Sequence, residues 1–205
     1  MTNGMRLGIF ASHEGTTFQA VVDAFAAGVI AGRVCLLISN NSGSGAIQKA
    51  GATGISWRHL SSKTHADPVA LDRAILAALR EADVNAVLLA GFMKKLGPEV
   101  LRSYAGRILN THPALLPKFG GPGMYGMRVH RAVLEAAECH SGASVHLVEA
   151  DYDTGPVIAQ RSVPVAPDDT PESLANRVQA AERTLLIEVL RDLAQGVRGW
   201  PSAMP

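Results

Sequence analysis

The amino-acid sequence predicts an α/β fold: a doubly wound, mostly parallel sheet with an antiparallel C-terminal portion and a long final helix. Three observations carry this. Four near-continuous apolar runs, RLGIF (6–10), VCLLIS (34–39), NAVLLAG (85–91) and GRILN (106–110), read as strands covered on both faces. Helical patterns separate them, and strands alternating with helices are the mark of parallel strands joined by crossovers. From Gly142 the rhythm changes to two β-rich runs around a short loop, followed by one long helical pattern.

Taken in order, RLGIF is the first strand and Thr17–Ala27 the first helix, joined by the turn ASHEGTT (11–17). VCLLIS follows, then a short helix over Ala46–Ala50 and a longer one over Pro68–Ala82. NAVLLAG, a helix over Pro98–Tyr104 and GRILN complete the parallel part. SVHLVEA (144–150) and GPVIAQRSVPV (155–165), separated by DYDT, are expected to pair antiparallel. The last helix, about Pro171–Gln195, starts from an Asp169 or Thr170 cap with Glu172 in its first turn. The tail GWPSAMP reads as an irregular end, and the 205 residues are expected to form a single domain.

Composition narrows the function classes. Hydrophobic residues make up 47% of the chain, enough for a full core. Nineteen basic against eighteen acidic residues leave a formal charge of +1, so the footprint of a nucleic-acid or anionic-lipid binder is missing and a small-molecule partner is expected. Cys35 and Cys139 are the only cysteines, which suits a reducing compartment, and Cys139-His140 lacks metal-ligand spacing, so no metal is expected. No run approaches the ~20 apolar residues of a membrane helix, and no signal peptide is visible; a cytoplasmic protein is expected. A homodimer is left open.

The chemistry concentrates after GRILN. In NTHPALLPKFGG (110–121), Asn110 and His112 are two apart at a strand end, so they project to one face. In an open parallel sheet ligands bind beyond the carboxyl ends of the strands, where a histidine can serve as acid or base and an amide can donate to a developing oxyanion. The plainer reading makes His112 a hydrogen-bonded core histidine and Asn110 a turn residue. EADYDTGPV adds Asp151 and Asp153 in a loop, and a carboxylate near His112 would raise its basicity. The turn ASHEGTT offers a helix N-terminus suited to a phosphate, or else a simple connection capped by Thr16 or Thr17.

Four segments carry a family resemblance: LLAGFMKKL (88–96), LNTHPALLPKF (109–119), SGASVHLVEADYDTGPVI (141–158) and RVQAAE (177–182). Over almost its whole length the chain resembles the phosphoribosylglycinamide formyltransferases, within the folate-dependent formyltransferases. The resemblance implies a Rossmann-like formyltransferase fold and transfer of the formyl group of N10-formyltetrahydrofolate, as cosubstrate, to the amine of glycinamide ribonucleotide in purine synthesis. It implies that Asn110, His112 and Asp153 are catalytic, with Ser144, His146 and His130 in support. Gly15, Thr16 and Thr17 match the phosphate site, and Gln179 and Glu182 match positions near the ribonucleotide. Phe92, Met93, Lys94, Leu96, Val148, Glu149, Ala150 and Asp151, with Asn110 and Asp153, match the folate site.

The chain departs from the family pattern in two places. SHEGTT (12–17) stands where Ser-Gly-x-Gly-Ser-Asn is usual, with His13 replacing a glycine, and FGGPGMYGMRVH (119–130) is a longer glycine-rich stretch, with Arg128 where many relatives have a histidine. Two alternatives from other classes remain. One is a formyltetrahydrofolate deformylase, which usually carries an N-terminal regulatory domain, whereas here the catalytic pattern starts at about residue 5. Methionyl-tRNA formyltransferase is disfavoured similarly, because it carries a further C-terminal domain. The other is a non-catalytic nucleotide-binding module of the same fold.

Overall fold

A computed structural model describes residues 4–200 of the chain. Its elements, in order, are β1 (Met5–Phe10), α1 (Thr16–Ala26), β2 (Gly32–Ser39), α2 (Gly45–Ala52), β3 (Trp57–His59), α3 (Pro68–Glu81), β4 (Ala86–Leu89), α4 (Pro98–Ser103), β5 (Ile108–His112), α5 (Met127–Glu135), β6 (His140–Leu147), β7 (Val157–Pro164) and α6 (Pro171–Ala194). The strands form a seven-stranded sheet in the order β3-β2-β1-β4-β5-β6-β7. The described chain divides into two compact units, one of residues 4–109 and 191–200, the other of residues 110–190.

In the first unit β1 lies between β2 and β4 and runs parallel to both, and β3 pairs parallel with the outer side of β2. β4 is buried throughout and β1 nearly so, which is why their sequences carry almost no polar residue. α3 shows how sequence sets local structure. Asp67 accepts from the N–H groups of Val69 and Ala70, Pro68 occupies the first turn, and Asp72, Ile75, Leu76 and Leu79 form the buried stripe at helical spacing. Asp72 is polar within that stripe because its carboxylate receives the N–H groups of Glu99 (2.7 Å) and Val100 (3.2 Å), capping α4 from a neighbouring helix.

In the second unit β6 and β7 pair antiparallel, from His140 opposite Pro164 to His146 opposite Val157, with a register shift at Val145/His146. The loop between them carries Asp153, at φ 58° in the left-handed region. α6 begins with a reciprocal cap: Thr170 Oγ1 accepts from Ser173 N at 3.2 Å, and Ser173 Oγ accepts from Thr170 N at 2.9 Å. Asp169 instead grips Arg177 at 2.6 Å. Thr170 is therefore the cap.

The structure corrects the sequence reading at several points. β3 was not expected: it is three residues long, sits at the sheet edge and exposes Trp57 at 42%, so it has no apolar run. α5 was not expected either, and residues 127–130 of the long glycine-rich stretch belong to it, with Val129, His130 and Val133 buried. β6 starts at His140, four residues before the expected SVHLVEA, and ends at Leu147. The cap of α1 is Gly15 without any side-chain bond, not a threonine. Of the tail, Gly199 and Trp200 lack regular structure and residues 201–205 lie outside the described residues. Among the described residues no helix is long and apolar enough to cross a membrane.

Candidate active site

Asn110 and His112 sit at the carboxyl end of β5, with His112 3% exposed and Asn110 half-buried. Two further residues of the same unit join them. His112 Nδ1 is 3.5 Å from Asp153 Oδ2, His146 Nε2 is 3.5 Å from Asp153 Oδ1, and Asn110 Nδ2 is 3.1 Å from His146 Nε2. Asn110, His146, Asp153 and His112 thus form one connected set.

The hydrogen bonds fix which atom does what. His146 Nδ1 donates to its neighbour, the Leu147 carbonyl, at 2.7 Å, so in the neutral ring Nε2 is an acceptor and takes an N–H of Asn110. A protonated Nε2 would instead donate to Asp153, and Asn110 would have to turn its oxygen inward. With the ring neutral, the 3.1 Å contact is an N–H of Asn110 on Nε2. One amide hydrogen of Asn110 is then held and the other points elsewhere in a fixed plane. His112 Nε2 donates to the Phe119 carbonyl at 2.7 Å, which leaves Nδ1 as the basic atom, facing Asp153.

Burial dominates the titration of His112 and holds it below 6.5, against the opposing pull of Asp153 and the Phe119 carbonyl. Burial also resists ionisation of Asp153, but a hydrogen bond from His146 when its Nε2 carries a proton, the Gly121 N–H (2.9 Å to Oδ2) and the charge of His112 once protonated outweigh it, and the pKa falls below 3.8. The carboxylate is ionised and the imidazole neutral near pH 7. That pair can take up a proton at Nδ1 and stabilise the resulting charge.

The turn after His112 is held by residues remote in sequence. Ser144 Oγ, fully buried, donates to the Ala114 carbonyl (2.6 Å) and accepts from Leu116 N (3.0 Å) and Gln160 Nε2 (2.9 Å). Ser144 therefore supports the backbone of ALLP and does not touch the polar set itself. Gly120 passes so close to Leu116 that a Cβ would come within 2.5 Å of its Cδ2. Thr111, pointing away from Asn110 and His112, donates to Glu182 Oε1 at 2.9 Å. Burial raises the pKa of half-buried Glu182, with Thr111 and Arg183 opposing. His130 is 2% exposed, its Nδ1 has no partner among the described residues, and burial followed by the charge of His112 lowers its pKa.

A sequence profile described as "Formyl transferase" matches residues 5–190. The chain belongs to the formyl transferase family. It is 40% identical over 191 residues to the chloroplastic phosphoribosylglycinamide formyltransferase of Vigna unguiculata, covering 93% of this chain and 61% of that protein, so it spans about three fifths of that relative. It is 35% identical over 192 residues to phosphoribosylglycinamide formyltransferase of Escherichia coli (strain K12), covering 94% of this chain and 88% of the relative. The crystal structure of glycinamide ribonucleotide transformylase 1 from Symbiobacterium toebii superposes with a TM-score of 0.90 at 33% identity, over 99% of this chain and 93% of that one.

The other residues expected from the family pattern fall into place unevenly. In the first unit Phe92 packs edge-on against Phe10 at 5.1 Å, Leu96 is core, Lys94 is exposed and Met93 is 38% exposed. Gly15 has φ 68°, and a Cβ there would lie 2.7 Å from Ala46 Cα, so its first duty is to let α1 start against α2. Thr16 is exposed and Thr17 half-buried on the first turn of α1. In the second unit Val148 is half-buried, Glu149, Ala150 and Asp151 are exposed, and Gln179 is exposed one turn before Glu182. Sequence reasoning missed the Phe119 carbonyl, the Gly121 N–H and Gln160. Backbone groups leave no residue-type signal, though the Gly120-Gly121 pair marked the place.

Proposed function

We propose that this chain transfers the formyl group of N10-formyltetrahydrofolate to the amine of glycinamide ribonucleotide. The observation that carries the reading is the connected set Asn110-His146-Asp153-His112, with a fixed amide donor and a basic imidazole nitrogen backed by a carboxylate. The names of the relatives from V. unguiculata and E. coli, with that of the S. toebii structure, agree with it.

In the proposed reaction the amine nitrogen bonds to the formyl carbon, and the formyl oxygen gains the electron pair of the C=O bond. The free N–H of Asn110 donates to that oxygen. His112 Nδ1 accepts the proton lost by the amine and Asp153 stabilises the imidazolium; the oxyanion pair then re-forms C=O as the carbon–folate nitrogen bond breaks, and the same proton passes to the folate nitrogen that leaves with that bond's electrons. The amide N–H is pre-aimed by His146, so little reorganisation is required when charge develops. Gly15, Thr16 and Thr17 are assigned to the phosphate through the N-terminus of α1, with Gln179 and Glu182 to the ribonucleotide. Phe92, Met93, Lys94, Leu96, Val148, Glu149, Ala150 and Asp151 are assigned to the folate. The whole chain is proposed to work as one cytoplasmic formyltransferase on small-molecule substrates.

The test is an assay with N10-formyltetrahydrofolate, with and without glycinamide ribonucleotide. Turnover that requires the ribonucleotide is expected. Equal turnover without it would assign a hydrolase, and none in either case a binding module.

A further inference from the structure

β1 has β2 on one side and β4 on the other, so the loop leaving its carboxyl end is flanked by the loops that leave both neighbours. Ser12, the second residue of that loop, is 4% exposed. Every hydrogen-bonding group it owns is in use. Its N–H donates to the Gly91 carbonyl (3.3 Å) and its carbonyl accepts from Asn41 Nδ2 (3.4 Å). Its hydroxyl donates to Asn40 Oδ1 (2.7 Å) and accepts from the Met93 N–H (3.0 Å). Two bonds go to the loop after β2 and two to the loop after β4, and a hydroxyl is the smallest side-chain group able to donate and accept at once.

We propose that Ser12 is a positioning residue that couples loop 90–96 to loop 13–17, so that ordering either one by its ligand orders the other. The inference rests on the functional reading above, which gives loop 90–96 to the folate and loop 13–17 to the ribonucleotide phosphate. Loop 13–17 continues directly from Ser12. Its far side is already tied to α2, by Ala46 N–H on the His13 carbonyl (3.1 Å) and Lys49 Nζ on the Glu14 carbonyl (2.9 Å). Its end, Thr16 and Thr17, is the first turn of α1, so Ser12 is its attachment on the other side. A ligand that fixes Met93 fixes the N–H that Ser12 Oγ receives and removes motion from the residue that anchors loop 13–17. The second ligand then meets a loop already partly ordered, and the effect is reciprocal.

The test is amide hydrogen exchange on the full chain, with N10-formyltetrahydrofolate added in the absence of ribonucleotide. In the wild type, saturating formyl donor is expected to slow exchange of the 13–17 amides about fivefold, the lower end of ordinary coupling. In Ser12→Ala the donor should still protect residues 90–96 but leave 13–17 unchanged, and KM for both substrates should rise several-fold, with kcat within about twofold as expected for lost binding alone. A purely structural role would lower stability without erasing cross-protection. Should Ser12→Ala not fold, Asn40→Ala removes only the acceptor of the short hydroxyl bond and is expected to weaken the cross-protection. Absence of cross-protection in the wild type, or its persistence in the variants, overturns the coupling. If the wild type binds neither ligand, the functional reading fails and this inference falls with it.

Discussion

Asn110→Asp is the sharpest perturbation of the proposed chemistry, because it keeps the size and shape of the side chain. It removes both N–H donors. His146 Nε2, 3.1 Å away and acceptor-only in the neutral ring, loses the group it accepts from, and a carboxylate replaces the donor near the forming oxyanion. Loss of one oxyanion donor costs about 2.7–4 kcal/mol of transition-state stabilisation, equivalent to ~10²–10³ in kcat. A like charge about 4 Å from the oxyanion adds up to roughly 4 kcal/mol of repulsion at an effective dielectric constant near 20. The expected fall in kcat is therefore at least ~10²-fold, with the formyl-donor Kd within a few-fold, because the oxyanion exists only in the transition state. The measurements are initial rates at saturating substrates and a direct titration of the formyl donor. A kcat within tenfold of wild type, or a Kd that rises in step with the fall in kcat, would refute the assignment of Asn110 as the oxyanion donor.

Thr111→Val removes the hydroxyl that Glu182 Oε1 accepts, a bond to a charged group worth about 1.5 kcal/mol at the low end suited to a half-buried site. KM for the ribonucleotide should rise roughly tenfold and Thr111→Ser should restore it; an unchanged KM removes Glu182 from ribonucleotide binding. Burial lowers the pKa of His112 and His130, so the unfolded chain binds more protons than the folded one below 6.5. Stability is full above 6.5 and falls as pH drops towards the folded values, and denaturation midpoints for His130→Gln against wild type across that window should show a smaller loss in the variant. The acid limb of kcat/KM is likewise expected below 6.5, and a limb above it would contradict a buried His112 base. Gly15→Ala combines a left-handed φ of 68° with a Cβ 2.7 Å from Ala46 Cα, so it should lower the melting temperature by several degrees, for about 1–2 kcal/mol of backbone cost plus displacement of α2. A melting temperature equal to wild type would show that α1 and α2 separate freely.

Hydrophobic pattern and turn chemistry determined most of the architecture, because a buried parallel strand must be apolar on both faces and a helix must carry its stripe and cap within its own residues. β1, β2, β4 and β5 were legible for that reason, as were α3 from Pro68 and α6, whose cap the sequence left between Asp169 and Thr170 until the fold paired Thr170 with Ser173. Edge strand β3 was not, since an exposed strand has no apolar run to read, and α5 was hidden behind the glycines that precede it. For the site, spacing alone placed Asn110 and His112 on one face, and the family resemblance pointed to Asp153 and His146. Only the tertiary structure decided which nitrogen of each histidine is basic. That choice depends on the carbonyls of Leu147 and Phe119, backbone groups that every residue carries and that no sequence pattern marks. The roles of Ser12, Thr111 and Ser144 follow the same rule: a hydroxyl has no fixed partner until the fold brings one within ~3 Å, and in this chain those partners lie 16 to 81 residues away.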